Sequence, residues 1–342
     1  MSALRKPRFW VGAAISVLCL WLALRNVPFA DLGHALAGVR YVWLLPAAAL
    51  QLLGVLARAR RWVVLLDRED RLADSFWAQG VGYLFTNVFP MRLGEPARVL
   101  VMSRRCGLPV VQVGASAIVE RLLDVVAVVA ILALVLPWMR VPALVTRAGA
   151  SFGAVVLLAL TLLVAVVSFG QRGEALLRYL CERARLLPAE GVVARWRELV
   201  GGLLPLTRRR TALRALGWST VCWVLSVGTY WCAIRAFQAD GTLVEAAFIV
   251  VALSLAVSVP SSPGFVGVFQ LAGQQALVLP FGAKYDAAVA LAITLAAHLT
   301  YYLLTTIVGL LGLWRLGESF AGLERLVAVG RPAREPAPGK VA

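Results

Sequence analysis

Phe76–Pro96 reads FWAQGVGYLFTNVFPMRLGEP, an apolar run that stops abruptly in a knot of proline, glycine and charge. The run Phe76–Phe89 has 14 residues, whereas a helix needs about 20 to cross a bilayer. Pro90, Arg92, Gly94, Glu95 and Pro96 then interrupt it. Proline suits the first turn of a helix, so a new helix is predicted to start at Pro96 and return through Arg98 to Arg104 and Arg105.

A second stretch repeats the plan. Residues 243–270 read LVEAAFIVVALSLAVSVPSSPGFVGVFQ. Leu243–Val259 runs inward and halts at Pro260, Ser261, Ser262, Pro263 and Gly264, and a short helix is predicted to return through Phe265 to Gln270. Non-helical backbone survives at membrane depth only where protein or a wet cavity surrounds it. Paired interruptions in corresponding places of two halves point to an inverted repeat with a binding site near the bilayer centre. Each returning helix would aim unpaired N–H groups and the positive end of its dipole at that site, an arrangement that favours an anion, phosphate above all.

The whole chain agrees with a membrane setting. Of its 342 residues 61% are apolar and 15% charged, and the mean hydropathy is +0.81. Soluble globules carry about 45–50% apolar and about 25% charged residues, so a soluble catalytic domain and a disordered chain are excluded. The expected architecture is an all-α polytopic membrane protein with about seven full transmembrane helices and two re-entrant or broken ones. The full spans are Phe9–Leu24, Tyr41–Ala57, Val110–Trp138, Ser151–Phe169, Ala215–Ile234, Leu243–Val259 and Ala287–Trp314. Residues 1–316 form one integral membrane domain with inverted halves of roughly 9–138 and 151–316. A basic amphipathic segment over 170–213 lies on the cytoplasmic surface, and 317–342 is a partly disordered cytoplasmic tail.

Charge sets the orientation. The chain has 34 basic and 18 acidic residues, a net charge of +16. With the N-terminus inside, 27 of the 34 basic residues fall in cytoplasmic segments, including Arg58–Arg71, and six fall outside. Arg121 alone lies within a span. That bias places both termini in the cytoplasm and accounts for the positive charge without nucleic acid. Arg5, Lys6 and Arg8 precede a first span that lacks a small-residue cleavage site, so it is expected to be retained. Five cysteines without a C-x-x-C pair, and only two histidines, predict no metal site, and the absence of phosphate-loop motifs argues against bound nucleotide. No cofactor is expected.

The polar residues at the breaks are the candidate site. Asn87, Arg92, Glu95, Arg98, Ser261, Ser262, Gly264 and Gln270 are predicted to meet a lipid headgroup. Arg98 either donates to phosphate in bidentate fashion or pairs with Glu95 to hold the loop. Gln270 and Gln274 share a face that either lines a polar path or bonds to a neighbouring helix. Glu120, Arg121 and Asp124 fall at i, i+1 and i+4 in a span, and His298 lies beside Tyr301 and Tyr302. Ionisable groups inside a span are expensive, so these four are assigned gating or charge balance. The alternatives are structural pairing for Glu120, Arg121 and Asp124, and a hydrogen-bonded core residue instead of a proton relay for His298. Gly309 and Gly312 suit close helix packing, within the chain or in a homo-oligomer.

Three motifs in order carry a family resemblance. Asn87-x-x-Pro90-x-Arg92-x-Gly94-Glu95-x-x-Arg98, then Glu120-Arg121-x-x-Asp124, then Pro260-x-x-Pro263-Gly264-x-x-Gly267-x-x-Gln270 resemble the lysylphosphatidylglycerol synthase transmembrane-region family, also called the flippase-like domain family. The resemblance covers roughly residues 8–316. Phe265 and Val266 stand where that family often has small residues, and Gln270 where it often has an acid. In the multiple peptide resistance factors such a module flips an aminoacylated phosphatidylglycerol made by a separate soluble domain. The few residues after Trp314 leave no room for that domain, so a stand-alone member is expected.

The resemblance implies a bacterial inner-membrane protein that moves an anionic phospholipid, or a hopanoid or glycolipid precursor, between leaflets. Two rivals stand beside it. An integral transferase acting on lipid headgroups would need Glu95 or Glu120 with Ser261 or Ser262, and no Ser/His/Asp set is present. A non-transporting scaffold for lipid or glycolipid biosynthesis needs no site at all.

Overall fold

The computed structural model describes residues 7–25, 27–89, 93–139, 168–184, 188–238, 240–258 and 261–329, with isolated positions from 153 to 166. The described residues are helical and contain no strand. The helices are α1 (Pro7–Leu24), α2 (Phe29–Ala37), α3 (Leu44–Leu66), α4 (Leu72–Val88), α5 (Gly94–Cys106), α6 (Val110–Val135), α7 (Gly170–Ala184), α8 (Ala189–Leu203), α9 (Arg209–Phe237), α10 (Leu243–Ala256), α11 (Val268–Phe281), α12 (Ala287–Leu316) and α13 (Phe320–Val329).

Among the described residues four helices, Tyr41–Leu66, Arg209–Phe237, Pro263–Phe281 and Ala287–Leu316, are long and apolar enough to cross a membrane. A fifth span results if α1 and α2, bent by 81°, count as one. Among the other spans expected from sequence, α6 has the length but carries three charged side chains. Helix α10 has only 14 residues, and Ser151–Phe169 lies mostly outside the described residues.

Helix α12 is the ruler of the bundle: 30 residues, about 45 Å at 1.5 Å per residue. Two antiparallel hairpins lie along it from opposite ends. In the first, α4 packs on α12 through glycine: the missing Cβ of Gly309 would fall 2.4 Å from the Leu84 Cβ, and that of Gly80 2.9 Å from the Val308 carbonyl oxygen. Helix α5 folds back on α4 so tightly that a Cβ at Gly94 would lie 2.0 Å from the Gly82 carbonyl oxygen. This contact starts α5 at Gly94, two residues before the expected Pro96. In the second hairpin, α10 descends from the opposite end and α11 returns. A capping box between Thr242 and Glu245 starts α10, and Asp286 caps α12 nearby.

The tips meet. The Tyr302 hydroxyl donates to the Asn87 carbonyl oxygen at 3.3 Å, and the Tyr302 ring presses on Gly264. Tyr302 stands about 22 Å from one end of α12 and about 21 Å from the other by helix rise, so the junction is central. Gly264 and Gly267 have φ of 67° and 88°, values that glycine alone adopts without strain. Phe265 also has a positive φ, 60°, a costly state for a residue with a Cβ.

One end of the bundle is knitted by surface ion pairs. Arg214 and Arg60 reach Glu69, Arg208 reaches Asp67 at 2.8 Å, and Arg104 reaches Glu318 at 3.3 Å. The hydrogen bond from Arg214 holds the Glu69 carboxyl below the usual carboxylate range. At the opposite end Lys284 bonds Glu245 at 2.8 Å and Asp240 at 3.3 Å.

The segment expected to be a basic amphipathic surface element is a hairpin of α7 and α8, joined by Arg197–Glu174 and Arg178–Glu190 pairs. Helix α7 exposes Leu176, Tyr179 and Leu180. Part of the expected tail is ordered as α13, whose Phe320 stacks on Phe89 at 5.1 Å. Residues 330–342 lie outside the described residues.

Candidate functional site

Helix α3 continues past the expected end at Ala57 to Leu66 and carries Arg58, Arg60 and Arg61 with it. The sequence count assigns all three to a cytoplasmic segment. The helix keeps them because Arg60 turns to Glu69 at the surface and Arg61 finds partners inside, while Arg58 comes only to 3.9 Å from Asp124 and 3.5 Å from Ser226. Arg61 is 1% exposed. It donates to Asp124 Oδ1 at 2.7 Å, to Ser219 Oγ at 3.1 Å and to Glu120 Oε1 at 3.4 Å.

From Arg61 the contacts run in a circle. Arg98 donates to the other Glu120 oxygen at 2.6 Å and to Glu95 at 2.9 Å through Nε. Glu95 accepts from Arg121, and Arg121 donates to Asp124 at 3.3 Å. Asp124 closes the circuit on Arg61. Three guanidiniums and three carboxylates thus alternate in a closed ring, each carboxylate shared by two arginines. The ring joins α3, α5 and α6.

Its position follows from packing. On α6, Val113 and Ala117 belong to one apolar cluster and Val128, Leu132 and Val135 to another, with Glu120, Arg121 and Asp124 between. Counted by helix rise, Arg61 lies about 8 Å inside the end of α3 and Glu120, Arg121 and Asp124 about 15–17 Å inside the ends of α6, while Glu95 and Arg98 sit in the first turns of α5. Glu120 is 1%, Arg98 2% and Asp124 7% exposed. The side chains of Glu95 and Arg121 are 42% and 54% exposed, so the ring has one open link. Arg98 also lies 4.6 Å from the Trp62 ring centroid, a cation–π contact, and Trp62 is held by its donation to Ser116 at 3.0 Å.

The remaining predicted residues divide between the tips. Asn87 donates to Thr305 at 3.0 Å and Thr306 at 3.1 Å, and its Oδ1 is buried with no hydrogen-bond partner. Gln270 accepts from the Gly267 N–H at 2.7 Å and donates to His298 Nδ1 at 2.8 Å. This leaves the His298 proton on Nε2 for the Gly264 carbonyl at 2.9 Å. His298 also stacks on Phe269 at 4.1 Å. It pins the second tip in place. Gln274 bonds two backbone carbonyls at 3.0 Å each, the helix-joining alternative of its two expected uses. The Ser262 N–H donates to Ser16 Oγ at 2.9 Å, and Ser261 Oγ is buried without a partner. Arg92 lies outside the described residues.

Thus Glu95, Arg98, Glu120, Arg121 and Asp124 come together, while Asn87, Ser261, Ser262, Gly264, Gln270 and His298 cluster at the tips. The tip junction is filled by Tyr302, His298 and Phe269. An interior cleft lies to one side, lined by Gln51, Thr229, Tyr230, Thr300 and Tyr301 among others. Arg58, Arg61, Trp62 and Ser219 were missed. Their signal was the register: Gln51, Arg58 and Arg61 fall at i, i+7 and i+10, one face of a helix.

No curated protein and no solved structure matches the chain at a significant level. The model of the lysylphosphatidylglycerol synthase TM region matches residues 9–309, a range that holds both tips and every member of the ring, and the chain belongs to that family.

Proposed function

We propose that the protein moves an anionic phospholipid, or a related anionic amphiphile such as a hopanoid or glycolipid precursor, between the leaflets of a bacterial inner membrane. The observation that carries this is the ring. Charged side chains at membrane depth are costly and rarely retained without a use, and here six stand together with one link open to the surroundings. Membership of a membrane family linked to lipid metabolism supports the same reading.

In this proposal the two hairpins are the re-entrant elements of an inverted repeat, and the ion-paired end of the bundle faces the cytoplasm with both termini. Phosphate competes with Glu95 for Arg98 and Arg121 while the acyl chains stay in the bilayer. Movement of one hairpin relative to the other then passes the headgroup across the tip junction.

The test is lipid translocation in proteoliposomes, with short-tail fluorescent phosphatidylglycerol beside neutral and cationic analogues. Transfer of the anionic lipid by wild type, with a loss of about tenfold or more in Arg98→Ala, is expected from removal of a charge-assisted contact. Folded protein that transfers none of these lipids would overturn the proposal. Chemical change of a lipid during the assay would favour a transferase instead.

A further inference from the structure

We infer that Arg58 is an anion-binding station separate from the ring, recognising the phosphate of a headgroup that travels along the α3–α9 seam. The inference rests on the transport reading above for its biological sense, and on Arg58's own surroundings for its chemistry.

The ring is neutral without Arg58. Its three carboxylates are shared among Arg61, Arg98 and Arg121, and Asp124 has both oxygens engaged at 2.7 Å and 3.3 Å. Arg58 approaches Asp124 only to 3.9 Å and reaches Ser226 Oγ at 3.5 Å, the outer limit of a hydrogen bond. Ser226 already donates to the Cys222 carbonyl at 2.9 Å. Among the described residues Arg58 is therefore a guanidinium within a membrane-spanning helix whose charge has no carboxylate of its own. Such a charge calls for an anion. Its side chain is 24% exposed, enough to receive one.

The approach to Arg58 is polar along one line. On α3, Gln51, Arg58 and Arg61 share a face, and across the antiparallel α9 Arg61 meets Ser219, Arg58 meets Ser226 and Gln51 shares the cleft with Thr229. The interior cleft lies at the Gln51–Thr229 end of this seam, with room for roughly one water, about 10 Å³. Tyr301 borders the cleft and sits 6.1 Å from Tyr83 ring to ring. Hydroxyls and an amide thus lead from the cleft to Arg58, and Arg61 leads on to the ring. Both helices turn leucine and valine outward on their far faces, including Leu52, Leu56, Val221 and Val224. A headgroup in the seam would leave its acyl chains beside apolar surface.

The purified full-length protein in detergent tests this by thermal stabilisation. The probes are dioctanoyl phosphatidylglycerol, dioctanoylglycerol and inorganic phosphate. Wild type is expected to be stabilised by the phospholipid and not by dioctanoylglycerol. Arg58→Gln is expected to raise the half-saturating concentration about tenfold or more, while Arg60→Gln, which removes the same charge two residues away, leaves it unchanged.

Should Arg58→Gln fail to fold, Arg58→Lys keeps the charge but loses the two-pronged contact, and a weakening of about tenfold is expected there. Stabilisation by inorganic phosphate that also depends on Arg58 would name the free anion as ligand and still support the station. Wild-type affinity in both Arg58 variants, or no stabilisation by either anion, would overturn it. Arg58-dependent binding without translocation sinks only the transport reading. Translocation with Arg58-independent binding sinks only this one.

Discussion

At the residue scale, Glu120 has the most to lose. Its two oxygens serve Arg98 and Arg61, and all three side chains are almost fully buried. Removing one partner of a buried ion pair leaves an uncompensated charge and costs about 3–5 kcal/mol. Glu120→Ala is therefore expected to lower the thermal unfolding midpoint in detergent far more than Glu318→Ala, whose pair with Arg104 is at the surface. Equal shifts in the two variants would show that the ring carries no structural load. Glu120 was legible in sequence because an acid in the middle of an apolar run stands out. Arg61 was not, because a run of arginines after an apolar stretch looks like the end of a span. Only the Glu120 and Asp124 partners, 59 and 63 residues away along the chain, reveal it as interior.

At the scale of elements, glycines decide which helices touch. Gly309 and Gly312 lie against Leu84, Gly80 and Trp77 of α4, so the close packing expected of them is spent within the chain. Gly309→Ile is expected to destabilise by about 1–3 kcal/mol through overpacking. Gly33→Ala in α2, where a Cβ meets nothing within 4 Å, is expected to gain about 0.5–1 kcal/mol. Size-exclusion after graded heating measures both, and a stable Gly309→Ile protein would contradict the packing.

The turn between α3 and α4 offers a pH test. Glu69 is held below its ordinary range by Arg214, so it contributes stability above the unfolded carboxylate pKa of about 4.3, and that contribution is lost as pH falls through the folded value. The difference in melting temperature between wild type and Glu69→Gln should be present at pH 7 and shrink as pH falls below the unfolded carboxylate value. A difference that persists in acid would assign it to packing. Helix hairpins were legible from the proline and glycine breaks. Their starts were not, since Gly94 begins α5 only because Gly82 leaves room for it.

At the scale of the whole molecule, two hairpins laid tip to tip on one long helix predict a sidedness. Cysteine introduced at Arg208 should be modified by a membrane-impermeant reagent from the cytoplasmic side, and cysteine at Asp240 from the opposite side. Modification of both from one side would refute the orientation. The all-helical membrane architecture was plain in composition, which needs no long-range contact to read. The way α3 and α9 face each other along polar residues was hidden, because 168 residues separate Arg58 from Ser226.

The closed form of the ring has a mechanical consequence. A chain of alternating charges cut at any inner link leaves two fragments, and its helices part. A cycle cut once becomes a single open chain, and every charge in it still holds at least one opposite neighbour. The cut costs least where water or headgroups reach, at the exposed Glu95–Arg121 link. The bundle can therefore loosen there while Glu120 still ties α3 to α5 and Asp124 still ties α3 to α6, yielding at one seam as a hinged clasp does and reclosing without having lost its register.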